Sequence, residues 1–168
     1  DMLRSSTDMY AEKDAFLQKS DGEYRGITYT TLRRDVEALG TELWSRGLSG
    51  KRIIVTGENC YAWCISYLAV ICGLGVVVPV DREIPAEELA NIAAVSEAAA
   101  VIYASSAAPK VDTLPEGIMR IPFASLPELI EAGSARLLSG EKDYLDVTID
   151  RDAMSALLFT SGTTGVSK

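Results

Sequence analysis

Three short apolar runs with no polar alternation most constrain what this chain can fold into. They lie at residues 53–55, 76–80 and 101–103. Segments of helical length separate them, an apolar one at 60–72 and an alanine-rich one at 85–95. Strands buried on both faces have continuous apolar sequences, and helices form the crossovers between parallel strands. The sequence therefore predicts an α/β fold, with a mostly parallel sheet flanked by helices on both faces.

An N-terminal antiparallel hairpin is predicted to precede the sheet. Residues 15–17 and 24–29 have strand-like composition, and Asp21-Gly22 between them is a hairpin turn signal. Residues 3–11 form an amphipathic segment ahead of the hairpin.

A helix is predicted to connect the hairpin to the sheet. Its apolar positions recur at helical spacing, and they are Leu32, Val36, Leu39, Leu43 and Trp44. Thr30 or Thr31 is the predicted N-cap and Gly47 the predicted end. Asn59 is the predicted N-cap of the next helix, which covers residues 60–72.

The C-terminal part is less regular. We expect a strand at 118–121, a short helix at 126–132 and an acidic surface loop at 139–152. A last apolar run at 156–159 predicts a strand that leads directly into the segment 160–168.

Composition excludes several classes of function. The chain has 168 residues, 16 basic and 24 acidic side chains, no histidine and a formal net charge of −8. This length fits one globular, soluble domain. Without histidine there is no Ser-His-Asp triad and no His-ligated metal site, and we expect no metal site of any kind. Nucleic acid is not an expected partner, because phosphate backbones bind clustered Lys and Arg.

The cysteines predict a protein of a reducing compartment, and an uncharged stretch bears on whether the chain spans a membrane. Cys60, Cys64 and Cys72 fall at helical spacing in one apolar segment, so they are interpreted as core residues. Residues 61–80 carry no charge, but their glycines and Pro79 indicate a buried helix followed by a strand, with no transmembrane segment. No signal peptide is visible at the N-terminus, and the expected location is cytoplasmic.

The nine residues after the last apolar run contain two glycines and end in a lysine, and the hydroxyl side chains around the glycines are Thr160, Ser161, Thr163 and Thr164. Glycines let successive N–H groups converge on an anion, hydroxyls donate to phosphate oxygens, and a lysine supplies a compact positive charge. The spacing differs from the Walker pattern, in which a lysine directly follows the second glycine. From the residues alone, a phosphate-binding loop and a polar surface turn both stay open.

The segment 157–168 resembles the phosphate-binding signature of the adenylate-forming superfamily, which includes acyl-CoA synthetases, luciferases and peptide-synthetase adenylation domains. Ser167 stands where many members have proline. Segments 27–32, 57–59 and 67–81 also follow the order of the superfamily's N-terminal part. The segments 57–64 and 159–168 are most similar to long-chain fatty-acid–CoA ligases. The resemblance covers most of this chain but about the first third of a typical member.

The resemblance implies an ATP-dependent ligase reaction. A fatty acid attacks ATP to form an acyl-adenylate and pyrophosphate, and coenzyme A (CoA) then forms the thioester, with Mg²⁺ assisting. The implied phosphate-contacting residues are Thr160, Ser161, Gly162, Thr163, Thr164, Gly165 and Lys168. None of them is a nucleophile, and the catalytic residues of the superfamily lie downstream of this signature.

We expect residues 1–168 to be the N-terminal portion of a large AMP-binding domain, cut at its phosphate loop and inactive as a ligase by itself. The expected small-molecule partners of the whole enzyme are fatty acid, ATP and CoA. An exposed apolar face would favour self-association, and peripheral membrane association of the whole enzyme is compatible with a lipid substrate.

Several alternatives stay open at this point. One is a different adenylate-forming enzyme, such as an aryl- or short-chain acyl-CoA ligase or a peptide-synthetase adenylation domain. Others are a non-catalytic flavodoxin-like module and a phosphotransferase with an unusual phosphate loop. The cluster Asp81-Arg82-Glu83 is interpreted as a solvated loop, with a ligand-facing role as the alternative, and Trp44 and Trp63 as core residues.

Overall fold

A computed structural model describes residues 2–20 and 22–160. The helices are α1 (Met2–Tyr10), α2 (Tyr29–Leu43), α3 (Tyr61–Ala69), α4 (Ala86–Val95), α5 (Ala108–Val111) and α6 (Leu126–Leu138). The strands are β1 (Asp14–Ser20), β2 (Glu23–Thr28), β3 (Arg52–Thr56), β4 (Val76–Val80), β5 (Ala98–Tyr103) and β6 (Met119–Pro122). Short helical turns extend α2 through Leu48 and α3 through Leu74.

The predicted parallel sheet is confirmed. Strands β3 to β6 form one four-stranded sheet in the order β4-β3-β5-β6, and every neighbouring pair is parallel. The predicted N-terminal hairpin is also present, because β1 and β2 pair antiparallel as a separate two-stranded sheet. Its predicted turn residue Asp21 lies outside the described residues.

Alternate residues of each strand face opposite sides of the sheet, and helices cover both sides. Ile53, Val55 and Ile102 face the cluster formed with α2, α3 and α6. Ile54 and Val101 face the second cluster, formed with α4 and α5. All five side chains are fully buried, which explains why the strands have no polar alternation.

Two helices begin at residues other than the predicted caps. The N-cap of α2 is Thr28, whose hydroxyl oxygen accepts a hydrogen bond from the Thr31 N–H at 3.2 Å. The N-cap of α3 is Cys60, without a side-chain capping bond, so the prediction of Asn59 is wrong. Gly47 lies beyond the last residue of α2, in the turn that follows, and has a φ of 81°, so the chain does turn away there.

Helix α6 runs six residues further than predicted (from 132 to 138) and contacts α2 along its length. A buried carboxylate joins the two helices. The two oxygens of Glu42 accept hydrogen bonds from the Arg46 Nε at 2.8 Å and the Arg136 Nε at 2.7 Å. This pairing lets an acidic residue lie at a buried position of α2.

The segment 139–152 is irregular as predicted, but it is not wholly a surface loop. Tyr144 is 3% exposed and joins the core cluster of α2 and α3. Its hydroxyl donates to the Ala69 carbonyl oxygen at 2.9 Å. The segment therefore closes one side of the core.

The predicted strand at 156–159 is wrong in extent. Among the described residues it is reduced to a single parallel bridge between Ala156 and Val77 of β4. None of the described helices combines the length and the apolar composition that crossing a bilayer requires.

Candidate functional site

A cleft of about 600 Å³ opens where β3 and β4 end. The residues that follow the two strands form its walls. Gly57, Glu58 and Asn59 follow β3, whereas Asp81 and Arg82 follow β4. The carboxyl ends of parallel strands are the usual place for ligands in open α/β sheets.

The segment that leads to the predicted phosphate loop is anchored beside this cleft. The Val77 N–H donates to the Ser155 carbonyl at 3.0 Å, and the Leu157 N–H donates to the Val77 carbonyl at 2.9 Å. Leu158 then lines the cleft and Thr160 is exposed.

Of the seven predicted phosphate-contacting residues, Thr160 belongs to the described part of the chain. The other six, Ser161, Gly162, Thr163, Thr164, Gly165 and Lys168, lie outside the described residues. The structure therefore places the entry to the predicted loop, at the carboxyl end of the sheet and next to the cleft.

The loop after β4 brings charged side chains to the cleft. Arg82 pairs with Glu83 at 2.9 Å and lies 3.9 Å from a Glu58 carboxylate oxygen. Hydrogen bonds from Ser106 and from its own backbone N–H, together with the charge of Arg82, hold the pKa of Glu58 below its ordinary value. Asp81 to Glu83 are exposed, as expected for a solvated loop, but Asp81 and Arg82 also line the cleft.

A lysine of α5, a helix on the same face of the sheet as α4, holds this loop in place. The Lys110 Nζ, in α5, donates to the carbonyl oxygens of Arg82 and Ile84. Asp81 contributes within the loop, because its carboxylate accepts from the Glu83 N–H at 2.8 Å. Sequence reasoning did not single out Lys110, since 26 residues separate it from Ile84 and no motif joins them.

The strand order is that of flavodoxin-like folds, in which ligands bind where the order reverses, here between β3 and β5. Close packing narrows this crevice at Gly57. Gly57 packs so closely that an added Cβ would lie 2.5 Å from the Ala104 Cβ and 2.9 Å from Phe123. Its φ of 148° also favours glycine. The cleft lies between the ends of β3 and β4, on the other side of β3 from the β3–β5 position expected for a flavodoxin-like ligand.

One aromatic ring of α3 lies at the cleft and stacks on a second ring. Trp63 lines the cleft and stacks on Tyr67, with ring centroids 5.3 Å apart and an angle of 16° between the planes. Both rings also pack against the core, as does Trp44, so the prediction of core tryptophans is partly confirmed.

The cysteines show no feature of a reactive site. All three are free and half-buried, a less buried position than the sequence predicted. Burial raises the pKa of the Cys64 and Cys72 thiols, which keeps them protonated at neutral pH. Within residues 2–20 and 22–160, no group of three or more acidic, cysteine or histidine side chains could hold a metal ion.

Comparison with known proteins identifies the family. The family model described as "AMP-binding enzyme" matches residues 3–168. The chain therefore belongs to the AMP-binding enzyme family.

Solved structures share the fold. The inhibitor-bound N-terminal domain of FACL13 from Mycobacterium tuberculosis superposes with a TM-score of 0.83 at 24% identity, over 99% of this chain and 42% of that one. A fatty acyl CoA synthetase from the same organism gives 0.82 at 22% identity, over 99% and 32% of the two chains. These likenesses confirm the predicted α/β architecture as that of the N-terminal domain of adenylate-forming enzymes.

Curated relatives are longer proteins with different substrates. A D-alanine–D-alanyl carrier protein ligase from Lactiplantibacillus plantarum is 30% identical over 143 residues, which are 84% of this chain and 26% of the relative. A chloroplastic long-chain-fatty-acid–[acyl-carrier-protein] ligase from Arabidopsis thaliana is 26% identical over all of this chain and 27% of its own length. This chain thus spans about a quarter of these two relatives.

Proposed function

We propose that this chain supplies the N-terminal part of the nucleotide-binding domain of an ATP-dependent ligase, which activates a carboxylate as an acyl-adenylate. The proposal rests on the position of the glycine- and hydroxyl-rich motif relative to the sheet. The Ser-Gly-Thr-Thr-Gly sequence and Lys168 follow directly after a segment that is hydrogen-bonded to β4 and leads to the cleft at the carboxyl end of the sheet. The family match over residues 3–168 supports it.

In the proposed reaction, a carboxylate oxygen attacks the α-phosphorus of ATP and pyrophosphate departs. Negative charge then accumulates on the leaving group. The hydroxyls and backbone N–H groups of residues 160–165, with the ammonium group of Lys168, are the proposed donors to its oxygens. Holding the triphosphate also keeps the α-phosphorus in line for attack.

Mg²⁺ enters this proposal as the ion that accompanies ATP. Hydroxyls, amides and a lysine favour an anion, whereas Mg²⁺ favours carboxylate and carbonyl oxygens. The proposed loop therefore fits the phosphates of ATP, and we assign no Mg²⁺ ligand to the described residues.

We further propose a long-chain fatty acid as the substrate and CoA as the acceptor. Support comes from the similarity of segments 57–64 and 159–168 to long-chain fatty-acid–CoA ligases. The 26% identity to the plant fatty-acid ligase, which extends over the whole chain, favours the same class of carboxylate.

Amino-acid activation is the second candidate function. The 30% identity to the D-alanine ligase favours it, as does 31% identity to a hybrid PKS-NRPS synthetase from Thermothelomyces thermophilus, over 83% of this chain. Both candidates share the adenylation step and differ in the carboxylate and the thiol acceptor.

ATP–pyrophosphate exchange by the full-length protein tests the proposal. Fatty acids of increasing length, D-alanine and a panel of L-amino acids are supplied separately, and CoA is then compared with carrier proteins as the acceptor. We expect exchange with long-chain fatty acids and thioester formation with CoA. Exchange with D-alanine or amino acids alone would select the second candidate.

A lysine substitution tests the role of the loop. Lys168→Ala is expected to lower exchange about a hundredfold, the usual cost of losing one donor to a developing charge. Lys142→Ala, at an exposed position of the segment 139–152, is the matched control. An exchange rate that survives Lys168→Ala unchanged would contradict the proposed loop.

A further inference from the structure

The hydrogen bonds between β4 and the segment 155–157 stop abruptly. In a parallel ladder, one residue donates and accepts across the gap, and the residue two positions further repeats the pattern. Val77 makes both bonds, to Ser155 and from Leu157, at 3.0 and 2.9 Å. The bridge is isolated, so the next rung is missing among the described residues.

The residue at the next rung is Pro79. Two residues beyond Val77, its backbone nitrogen would donate to the Leu157 carbonyl and its carbonyl would accept from the Phe159 N–H. Proline has no N–H, and within sheets it is confined to edges where no donor is needed. On its other side, β4 stays paired with β3 at this level, through the register Val55–Pro79.

The chain leaves the sheet at this point. Leu158 is 68% exposed and lines the cleft, while Phe159 packs on the cluster of α4 and lines a second pocket together with Pro79. Side-chain packing of Phe159 therefore holds the residue just before the predicted phosphate loop.

We propose that Pro79 is a positioning residue for the nucleotide site. By withholding one N–H, it ends the ladder at Leu157 and so determines where the chain leaves the sheet, at the entry to the phosphate loop. A residue with an N–H at position 79 would extend the ladder to Phe159 and hold the entry in line with β4. This inference rests on the proposed function, because it assumes that the loop binds ATP.

The variant Pro79→Val in the full-length protein tests the proposal, since valine suits a strand and restores the N–H. We expect amide hydrogen exchange at Phe159 to slow about fivefold, the factor that one net hydrogen bond of about 1 kcal/mol represents. The KM for ATP should rise about fivefold, because nucleotide binding must then break the new hydrogen bond. The KM for the carboxylate should stay within about twofold of the wild-type value.

Two further variants distinguish the effect of the restored N–H from the other effects of replacing Pro79. Pro122→Val, at the end of β6 at the other edge of the sheet, is the matched control and should leave the KM for ATP unchanged. An ester analogue with α-hydroxyvaline in place of Pro79 has the valine side chain but no N–H, and should keep the wild-type KM for ATP.

Unchanged exchange at Phe159 in Pro79→Val would overturn the proposal, as would an ester analogue that raises the KM as much as valine does. If Pro79→Val does not fold, the ester analogue decides the question by itself. Absence of ATP–pyrophosphate exchange with every carboxylate would refute the proposed function instead, and hydrogen exchange at Phe159 would still decide whether Pro79 ends the ladder.

Discussion

The contact between Gly40 of α2 and the ring of Tyr144 gives the sharpest test of how the core is closed. A Cβ added at Gly40 would lie 2.1 Å from the Tyr144 Cζ, well inside van der Waals contact. The ring is buried, its hydroxyl donates to the Ala69 carbonyl at 2.9 Å, and burial raises the tyrosine pKa so that the proton is retained. We therefore expect Gly40→Ala and Tyr144→Ala to be strongly coupled.

The magnitudes follow from packing. Gly40→Ala should cost about 1–2 kcal/mol of unfolding free energy, because overpacking outweighs the helix preference of alanine over glycine. Tyr144→Ala should cost about 3–5 kcal/mol through the cavity it leaves. In the double variant the clash is gone and the helix preference remains. The double variant should therefore lose about 2 kcal/mol less unfolding free energy than the sum of the losses in the two single variants.

Urea unfolding monitored by tryptophan fluorescence measures these free energies, since Trp44 packs on the same cluster. Tyr144→Phe should cost about 1 kcal/mol by removing one hydrogen bond. Tyr24→Ala is the control for loss of a tyrosine, because its side chain is exposed, and should change stability by less than about 0.5 kcal/mol. Additive effects of Gly40→Ala and Tyr144→Ala would refute the contact.

Two further predictions concern charged side chains. Burial tends to raise the pKa of Glu42, but hydrogen bonds from Arg136 and Arg46 outweigh it and lower that pKa. Glu42→Gln should therefore cost about 1 kcal/mol at pH 7, modest because both arginines are solvent-accessible. The difference in unfolding free energy between the wild type and Glu42→Gln should vanish as the pH falls below about 4, because the carboxylate becomes protonated first in the unfolded state and then in the folded state. A difference that does not change with pH would contradict the pairing. Lys110→Met should speed hydrogen exchange in the loop 82–84 about tenfold, with partial rescue by Lys110→Arg, because the loop loses a charged donor to two carbonyls; unchanged exchange would mean that the lysine does not hold the loop.

The sheet was predictable because its strands are buried on both faces. Residues 76–80 coincide with β4, and the run at 101–103 lies within β5, since apolar runs between helical segments have few other stable arrangements. The predicted phosphate segment rests on local chemistry in the same way. Glycines, hydroxyls and a lysine keep their donor properties wherever the fold places them.

Two of the misassigned segments depend on partners distant in sequence. Tyr144 looked like part of a surface loop, and its burial depends on Gly40, about a hundred residues earlier. The run at 156–159 has strand-like composition, but its pairing depends on whether β4 offers a donor at Pro79. Caps were misplaced by one to three residues, because several neighbouring polar residues compete for each helix end.

Residue types and their order were enough to establish the alternation of buried strands and helices, the lack of histidine chemistry within these 168 residues, and the family. Tertiary structure decided where the open space lies. Close packing at Gly57 narrows the crevice between β3 and β5, while the loop after β4, held by Lys110, borders the cleft to which the segment 155–160 leads. The position of the cleft depends on contacts that form only after folding, so no local sequence pattern predicts it.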